Sequence, residues 1–398
     1  MDWDCIAVGG GLAGSALGIA LAREGRRVLV LEREKSFRDR VRGEAFLPWG
    51  VNELRELGLY DEIVGKCAHP VRYWTSHARG PSPPRDLEAT CPREAHCLHF
   101  LHPDLQETLI AAAEDTGAEV RRGVVVTKVE PGQKPKVTMG YNGKEETLSA
   151  SLVVGADGRT SKVRGWCGFE ADRDPERMMV AGCLLEGTDT PHDSVHIFRR
   201  EGHGEGALVF PISRDRLRIY FLYRKLEKRR GLSGATKVAT FIESCKRVGV
   251  PSDWLARAKA GGPLAEFDGA DLWVKHPYRD GVALVGDAAS ANDPSWGNGL
   301  SLAVRDVRTL VDQVLATDDL NQAGHSYAET HDQYFGRVNR LTRWLTDLNY
   351  EIGPEADALR ARAIPLIRED PARVPDYISY GPDSPSDEMV RKRLFGEV

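Results

Sequence analysis

Gly9-Gly10-Gly11-Leu12-Ala13-Gly14 stands between an apolar run, Cys5 to Val8, and a helical pattern from Leu12 to Glu24. A second apolar, β-branched run, Val28 to Leu31, follows. Strand, glycine turn, helix and strand within about 30 residues make a βαβ unit. The GxGxxG pattern alone is a weak signal in a chain with 40 Gly. Its position between a strand and a helix gives it weight. Glu32 ends the second strand, 18 residues after Gly14. In this geometry Gly9 permits a tight turn, Gly11 lets a pyrophosphate reach the backbone, and Gly14 lets helix and strand pack closely. Leu12 and Ala13 open the helix whose N-terminus meets the phosphates. Glu32, beside Arg33, accepts from a ribose hydroxyl. The bland alternative is an ordinary βα turn with an exposed Glu32. The spacing favours a Rossmann-like dinucleotide-binding domain.

Around that unit the chain has 398 residues, enough for roughly two or three domains and a large core. Its 54 Lys+Arg against 59 Asp+Glu give a net charge of −5, which argues against a general polyanion-binding role. No nucleic-acid partner is expected. No stretch approaches the roughly 18 consecutive apolar residues of a membrane span. Met1-Asp2-Trp3-Asp4 runs into a strand with no basic leader. The seven cysteines are scattered, odd in number and contain no CxxC, which fits free thiols and a cytoplasmic location.

Further along, Arg42 to Leu57 reads as a loop entering a short helix, and Val71 to Ser76 alternates like a strand. His102 to Thr116 is a helix with Leu105, Leu109 and Ala113 on one face. Val124 to Val129 and Pro135 to Met139 read as a hairpin, and Leu152 to Gly155 as a short buried strand. Between 175 and 275, four strand-like segments suggest an inserted antiparallel sheet. Gly281 to Val285 returns to buried β, and helices follow at Leu300 to Leu315 and Ser326 to Asn349. The expected fold class is α/β, with an inserted mainly antiparallel substrate sheet and C-terminal helices. The expected division is a discontinuous cofactor domain (1–70, 97–174 and 276–320), a substrate domain (71–96 and 175–275), and a C-terminal helical segment (321–398).

Two later segments separate the possible dinucleotides. Leu152-Val-Val-Gly-Ala-Asp157-Gly158-Arg-Thr-Ser161-Lys-Val-Arg164 resembles the DG motif of flavoprotein monooxygenases. Gly281-Val-Ala-Leu-Val-Gly286-Asp287-Ala-Ala289 resembles their GD motif, and Arg42-Gly43-Glu44 a further segment near the flavin. Three motifs in order over residues 5 to about 310 make the chain similar to the FAD-dependent, single-component, p-hydroxybenzoate hydroxylase-like monooxygenase family.

That resemblance implies FAD as cofactor and NADH or NADPH as a transient co-substrate. It implies O2 activation through a flavin C4a-hydroperoxide that hydroxylates or epoxidises an aromatic or polyketide-like small molecule. Asp287 then holds the ribityl chain, and Arg42, His102, Val125, Asp157, Gly158 and Gly286 lie along the cofactor. Pro294-Ser-Trp296-Gly297-Asn298-Gly299-Leu300 immediately precedes a helix. Its free N–H groups and dipole suit the negative charge of reduced flavin. Three positions depart from the family pattern. Ser290 stands where GDAAH has His, Ser301 where an Asn is usual, and His102 where the helix usually begins with Arg or Gln.

For the substrate, Trp74, Phe210, Tyr220, Leu222, Pro294 and Trp296 are candidate contacts. Tyr220 and Leu222 share one strand face. His99, His102 and Tyr220 are candidate proton-handling groups. The Cys/His-rich segment Cys91 to His102 has the wrong spacing for a zinc site, and no metal is expected. A monomer or homodimer is expected. A flavin halogenase is an alternative, but no Trp-x-Trp occurs in the chain. A geranylgeranyl-type reductase is another, although Ala207-Leu-Val209 precedes Phe210-Pro211 where that group carries Tyr-x-Trp. A flavin-binding sensor without chemistry is a fourth reading.

Overall fold

The computed structural model describes residues 3–41, 43–77, 83–141, 143–225 and 231–398. Arg42 lies outside them. The described residues build two eight-stranded sheets and two small three-stranded ones, with a deep cavity between the two large sheets.

The first sheet places Trp3–Val8 at its centre, parallel to Val28–Glu32 on one side and to Lys144–Gly155 on the other. Glu119–Arg122 and Val282–Leu284 extend it in parallel. Val28–Glu32 is buried throughout, as expected for a parallel strand covered on both faces. Helix Leu12–Arg23 packs against helices His102–Asp115 and Gly299–Ala316. Because partners surround it, ten of its twelve residues are buried and no clean apolar stripe shows. Lys144–Gly155 is longer than the strand expected at 152–155. Its polar first half pairs with Lys136–Tyr141, which pairs in turn with Val125–Glu130. The expected hairpin thus forms, and the third strand extends it into a meander. The sequence there alternates weakly because much of its surface is solvated.

In the second sheet, Met178–Glu186, Arg216–Arg224, Glu205–Pro211 and Ser194–Arg200 are consecutive antiparallel neighbours. Tyr73–Ser76 joins in parallel with Ser194–Arg200. The 175–275 region is not all sheet, because Val238–Arg247 is a helix. Its Phe241 and Cys245 cover the outer face through Ala181, Ile219 and Phe221. The inner face, through Val180, Tyr220 and Leu222, meets Trp296 and the 30-residue helix Leu320–Asn349. Asp319 caps that helix, accepting from the amides of Asn321 and Gln322 at 3.0 Å each. Among the described residues no helix is long and apolar enough to cross a membrane. All seven cysteines are free.

Candidate cofactor and substrate site

A single cavity of about 1080 Å³ runs from Glu32 and Arg33, past the glycine turn, to Phe210, Tyr220 and Tyr377 under the second sheet. Its glycines divide into two kinds. A Cβ on Gly9 would lie 2.4 Å from Ala156 O, and one on Gly14 1.8 Å from Gly9 O. Gly9 also has φ +109°. These two glycines close the turn. A Cβ on Gly11 would meet nothing nearer than 3.5 Å, and on Gly158 or Gly299 nothing within 4 Å. These three line the cavity, so their bare backbone is open to a ligand. This cradle fits an extended dinucleotide. Glu32 stands at its end, accepting from the Gly10 amide (2.7 Å) and the Glu34 amide (2.8 Å). Leu12, Ala13, Arg33 and Val125 also line it.

The two later motifs are tied together by Arg164. Its guanidinium donates to Ala288 O (3.2 Å) of the second motif and to Arg159 O (2.9 Å) of the first. Asp157 lines the cavity, but its carboxylate serves the turn. It accepts from the Ser161 hydroxyl (2.5 Å) and the Lys162 amide (2.7 Å). Gly286 and Asp287 line the cavity too. Behind them the Gly286 amide donates to the buried Asp306 (2.7 Å), which also accepts from the Tyr334 hydroxyl. Ser290, at the position where the family has His, faces the Nε2 of buried His331 at 3.2 Å. An imidazole therefore still backs this loop, supplied from helix Leu320–Asn349. Ser301 is packed against Gly50, where a Cβ would lie 2.0 Å from its Oγ, and that buried Oγ has no hydrogen-bond partner among the described residues.

Pro294, Trp296, Gly297, Gly299 and Leu300 line the cavity, and helix Gly299–Ala316 starts from them. Its unpaired N–H groups and positive dipole end face inward. The Trp296 Nε1–H donates to Thr346 Oγ1 (2.9 Å). Asn298 is buried, with its Nδ2 on Asn292 Oδ1 (3.3 Å), and is not on the cavity wall.

Among the remaining candidates, Trp74, Phe210, Tyr220 and His102 reach the cavity; His99 and Leu222 do not. The His102 Nδ1–H donates to Gly43 O (2.9 Å). His99 is fully buried, and its Nδ1–H donates to Pro211 O (2.8 Å), fastening the second sheet. Burial pushes it down to about 3, so it is a neutral structural imidazole behind Phe210. Residue type alone makes His99 a candidate and cannot show that both faces of its strand, Cys97–Phe100, are covered.

Tyr220 has a buried partner in Glu44 of the Arg42-Gly43-Glu44 segment, a pairing that the motif itself does not announce. Its hydroxyl donates to Glu44, which also lines the cavity. Behind Glu44, Arg218 is fully buried, with Nε 3.1 Å from Glu44 Oε1 and Nη2 2.7 Å from Asp39 Oδ1. Burial raises Glu44 to about 8, against the opposing pull of Arg218. Burial likewise raises Asp271 to about 7, and Asp293 and Asp306 to about 6.

Each of these carboxyls keeps its proton in the folded chain at pH values where the unfolded chain has lost it. Their contribution is full below the ordinary carboxylate range and is lost as pH rises through these values. His99 and His196, pushed down to about 3 and 4, have the opposite sign and matter only below about pH 6.5. The melting temperature is therefore expected to fall between pH 6.5 and 8, and Glu44→Gln to flatten that fall. A melting temperature that rises across this window contradicts the assignment.

The glycine cradle and the paired loops define a dinucleotide-binding flavoprotein fold. The sequence profile of the family described as an FAD binding domain matches residues 2–340. The chain belongs to that family, and FAD is its cofactor. It is 28% identical to the 6-methylpretetramide 4-monooxygenase of Streptomyces rimosus, over 99% of this chain and 95% of that protein. It is 28% identical to a squalene epoxidase of Aspergillus fumigatus, over 77% of this chain and 65% of that one. With the mouse squalene monooxygenase it shares 26% over 77% of this chain and 54% of that one. The chain thus spans about 54 to 65% of the length of these two squalene oxygenases.

Among solved structures, p-nitrophenol 4-monooxygenase from Pseudomonas putida matches with TM-score 0.77 at 20% identity, covering 100% of this chain and 97% of that one. The flavin-dependent brominase Bmp2 matches with TM-score 0.75 at 18%, covering 94% and 93%. These two likenesses concern the fold.

Proposed function

We propose that the chain is an FAD-dependent monooxygenase. It uses NADH or NADPH and O2 to hydroxylate or epoxidise an aromatic or polyketide-like small molecule. It acts in the cytoplasm as a monomer or homodimer. The observation that carries this reading is the single cavity joining a dinucleotide cradle to an aromatic-walled chamber, with a helix N-terminus between them.

Bound FAD supplies the two-electron chemistry with nicotinamide and O2. Glu32 would hold the ribose, Gly11, Leu12 and Ala13 the pyrophosphate, Asp287 the ribityl chain, and Gly297, Gly299 and Leu300 the ring system. The helix start stabilises negative charge there without reorganisation. Trp74, Phe210 and Trp296 exclude water and orient the substrate. Tyr220, backed by Glu44, exchanges a proton with a substrate hydroxyl, and His102 is a second candidate at the wall. The domain boundaries read from the sequence accompany this proposal: a cofactor unit of 1–70, 97–174 and 276–320 beneath a substrate unit of 71–96 and 175–275. The absence of any Trp-x-Trp disfavours the halogenase reading.

The test is a screen of aromatic compounds for stimulated NAD(P)H consumption by the FAD-loaded protein, with O2 uptake recorded in parallel. Stimulation coupled to O2 uptake is expected, and Asp287→Ala is expected to lose FAD or activity. Turnover that proceeds equally well without O2 contradicts the proposal and favours a reductase.

A further inference from the structure

Arg199 belongs to strand Ser194–Arg200. Strand alternation puts Ile197 and Arg199 on the cavity face, and both line the cavity. The guanidinium carbon of Arg199 lies 5.3 Å from the ring centroid of Trp296 and 5.8 Å from that of Tyr350. Its Nε–H donates to the Tyr350 hydroxyl at 3.3 Å. These contacts hold the head group beside two aromatic rings.

The other charged side chains at this end of the wall are matched. Glu44 has Arg218 and the Tyr220 hydroxyl. Asp268 has Arg159 and Arg173. Glu266 accepts from the Tyr223 hydroxyl and the Leu232 amide. Among the described residues, Arg199 has no carboxylate partner, and its two terminal nitrogens donate to none of them. A fixed guanidinium fork facing an apolar chamber offers two parallel N–H groups to a planar oxyanion.

We propose that Arg199 anchors a planar oxyanion carried on the substrate's aromatic frame, either a carboxylate or the enolate of a 1,3-dicarbonyl. This rests on the monooxygenase reading and narrows its substrate to organic acids. A neutral hydrocarbon leaves the fork unsatisfied and is disfavoured. Trp296 belongs to the loop that opens helix Gly299–Ala316. An anion held at Arg199 is therefore held beside the segment assigned to the flavin ring, with the rest of the substrate against Phe210 and Tyr220.

The experiment titrates FAD-loaded wild type, Arg199→Gln and Arg199→Lys with three probes. These are 1-hydroxy-2-naphthoate, the acidic enol 2-acetyl-1,3-indandione, and the neutral 1-hydroxy-2-naphthamide. Binding is read from the flavin absorbance. Wild type is expected to bind at least one anion roughly 10- to 100-fold more tightly than the amide. The preferred anion tells carboxylate from enolate. Arg199→Gln is expected to abolish the preference while still binding the amide, and Arg199→Lys to keep part of it.

Equal binding of anions and amide by wild type overturns the proposal. So does a preference that survives Arg199→Gln, or no anion binding at millimolar concentration. Tryptophan fluorescence of flavin-free wild type repeats the comparison without cofactor. If the chain takes up no FAD, the monooxygenase reading fails while the anion preference is still measured. If Arg199→Gln does not fold, the wild-type preference and Arg199→Lys decide.

Discussion

Gly11→Leu is expected to give a folded protein that no longer retains FAD. The added side chain starts where a Cβ meets nothing nearer than 3.5 Å and extends into the cradle at the start of helix Leu12–Arg23. Nothing in the core moves, so the melting temperature is expected to stay near that of the wild type. The space for the pyrophosphate is filled, and the helix N–H groups are screened from the phosphates. Overpacking of this kind costs about 1–3 kcal/mol, or about 10- to 100-fold in affinity. Gly14→Leu is the contrasting case. Its Cβ would lie 1.8 Å from Gly9 O, so the turn itself must shift. Here the fold is expected to lose about 3 kcal/mol or more. FAD retention on desalting, measured beside thermal melts, separates the two. Full FAD retention by Gly11→Leu removes that residue from the cofactor site.

Arg218→Leu is expected to be the most damaging single change outside the glycine turn. Arg218 has no exposed surface and faces two carboxylates, Glu44 and Asp39. Removing the cation leaves the Asp39 carboxylate without its positive partner and the buried Glu44 carboxyl without the guanidinium that it faces. Breaking a buried pair in this way costs about 3–5 kcal/mol. Adding Glu44→Leu to Arg218→Leu removes the buried carboxyl that faced the lost guanidinium, so the double variant is expected to lose less than the sum of the single ones. Denaturant melts measure both. A loss below about 1 kcal/mol for Arg218→Leu shows that the pair does not hold the cavity wall.

The parts legible in the sequence are those where one short segment does a complete job. Gly9 to Gly14 carries turn, approach and packing within six residues, and the strands on either side announce themselves by continuous apolar runs. The two later motifs are local loops of the same kind. What was not legible depends on partners far apart in the chain. Arg218 sits in a strand that is buried nearly throughout, so alternation gives no sign of its ion pairs. Its partners, Asp39 and Glu44, are about 175 residues away. Tyr377 reaches the cavity from the C-terminal helical segment, far along the chain from the other lining residues.

His331 and Tyr334 likewise lie on a long helix whose pattern shows only that one face is buried. Their bonds to Ser290 and Asp306 appear only once the helix is packed. This packing answers the question that the Ser290 departure raised: a side chain missing at one position of the motif is supplied from a different element. His99 shows the converse. Its residue type suits proton transfer, but tertiary packing covers it and occupies its Nδ1.

The central claim is that this cavity holds FAD and passes one oxygen atom from O2 to an aromatic substrate. The most direct measurement supplies isotopically labelled O2 to the FAD-loaded protein, with NADH or NADPH and an aromatic compound that stimulates turnover, followed by mass spectrometry of the product. The account predicts one labelled oxygen atom in each product molecule. Product formed without label from O2 contradicts it.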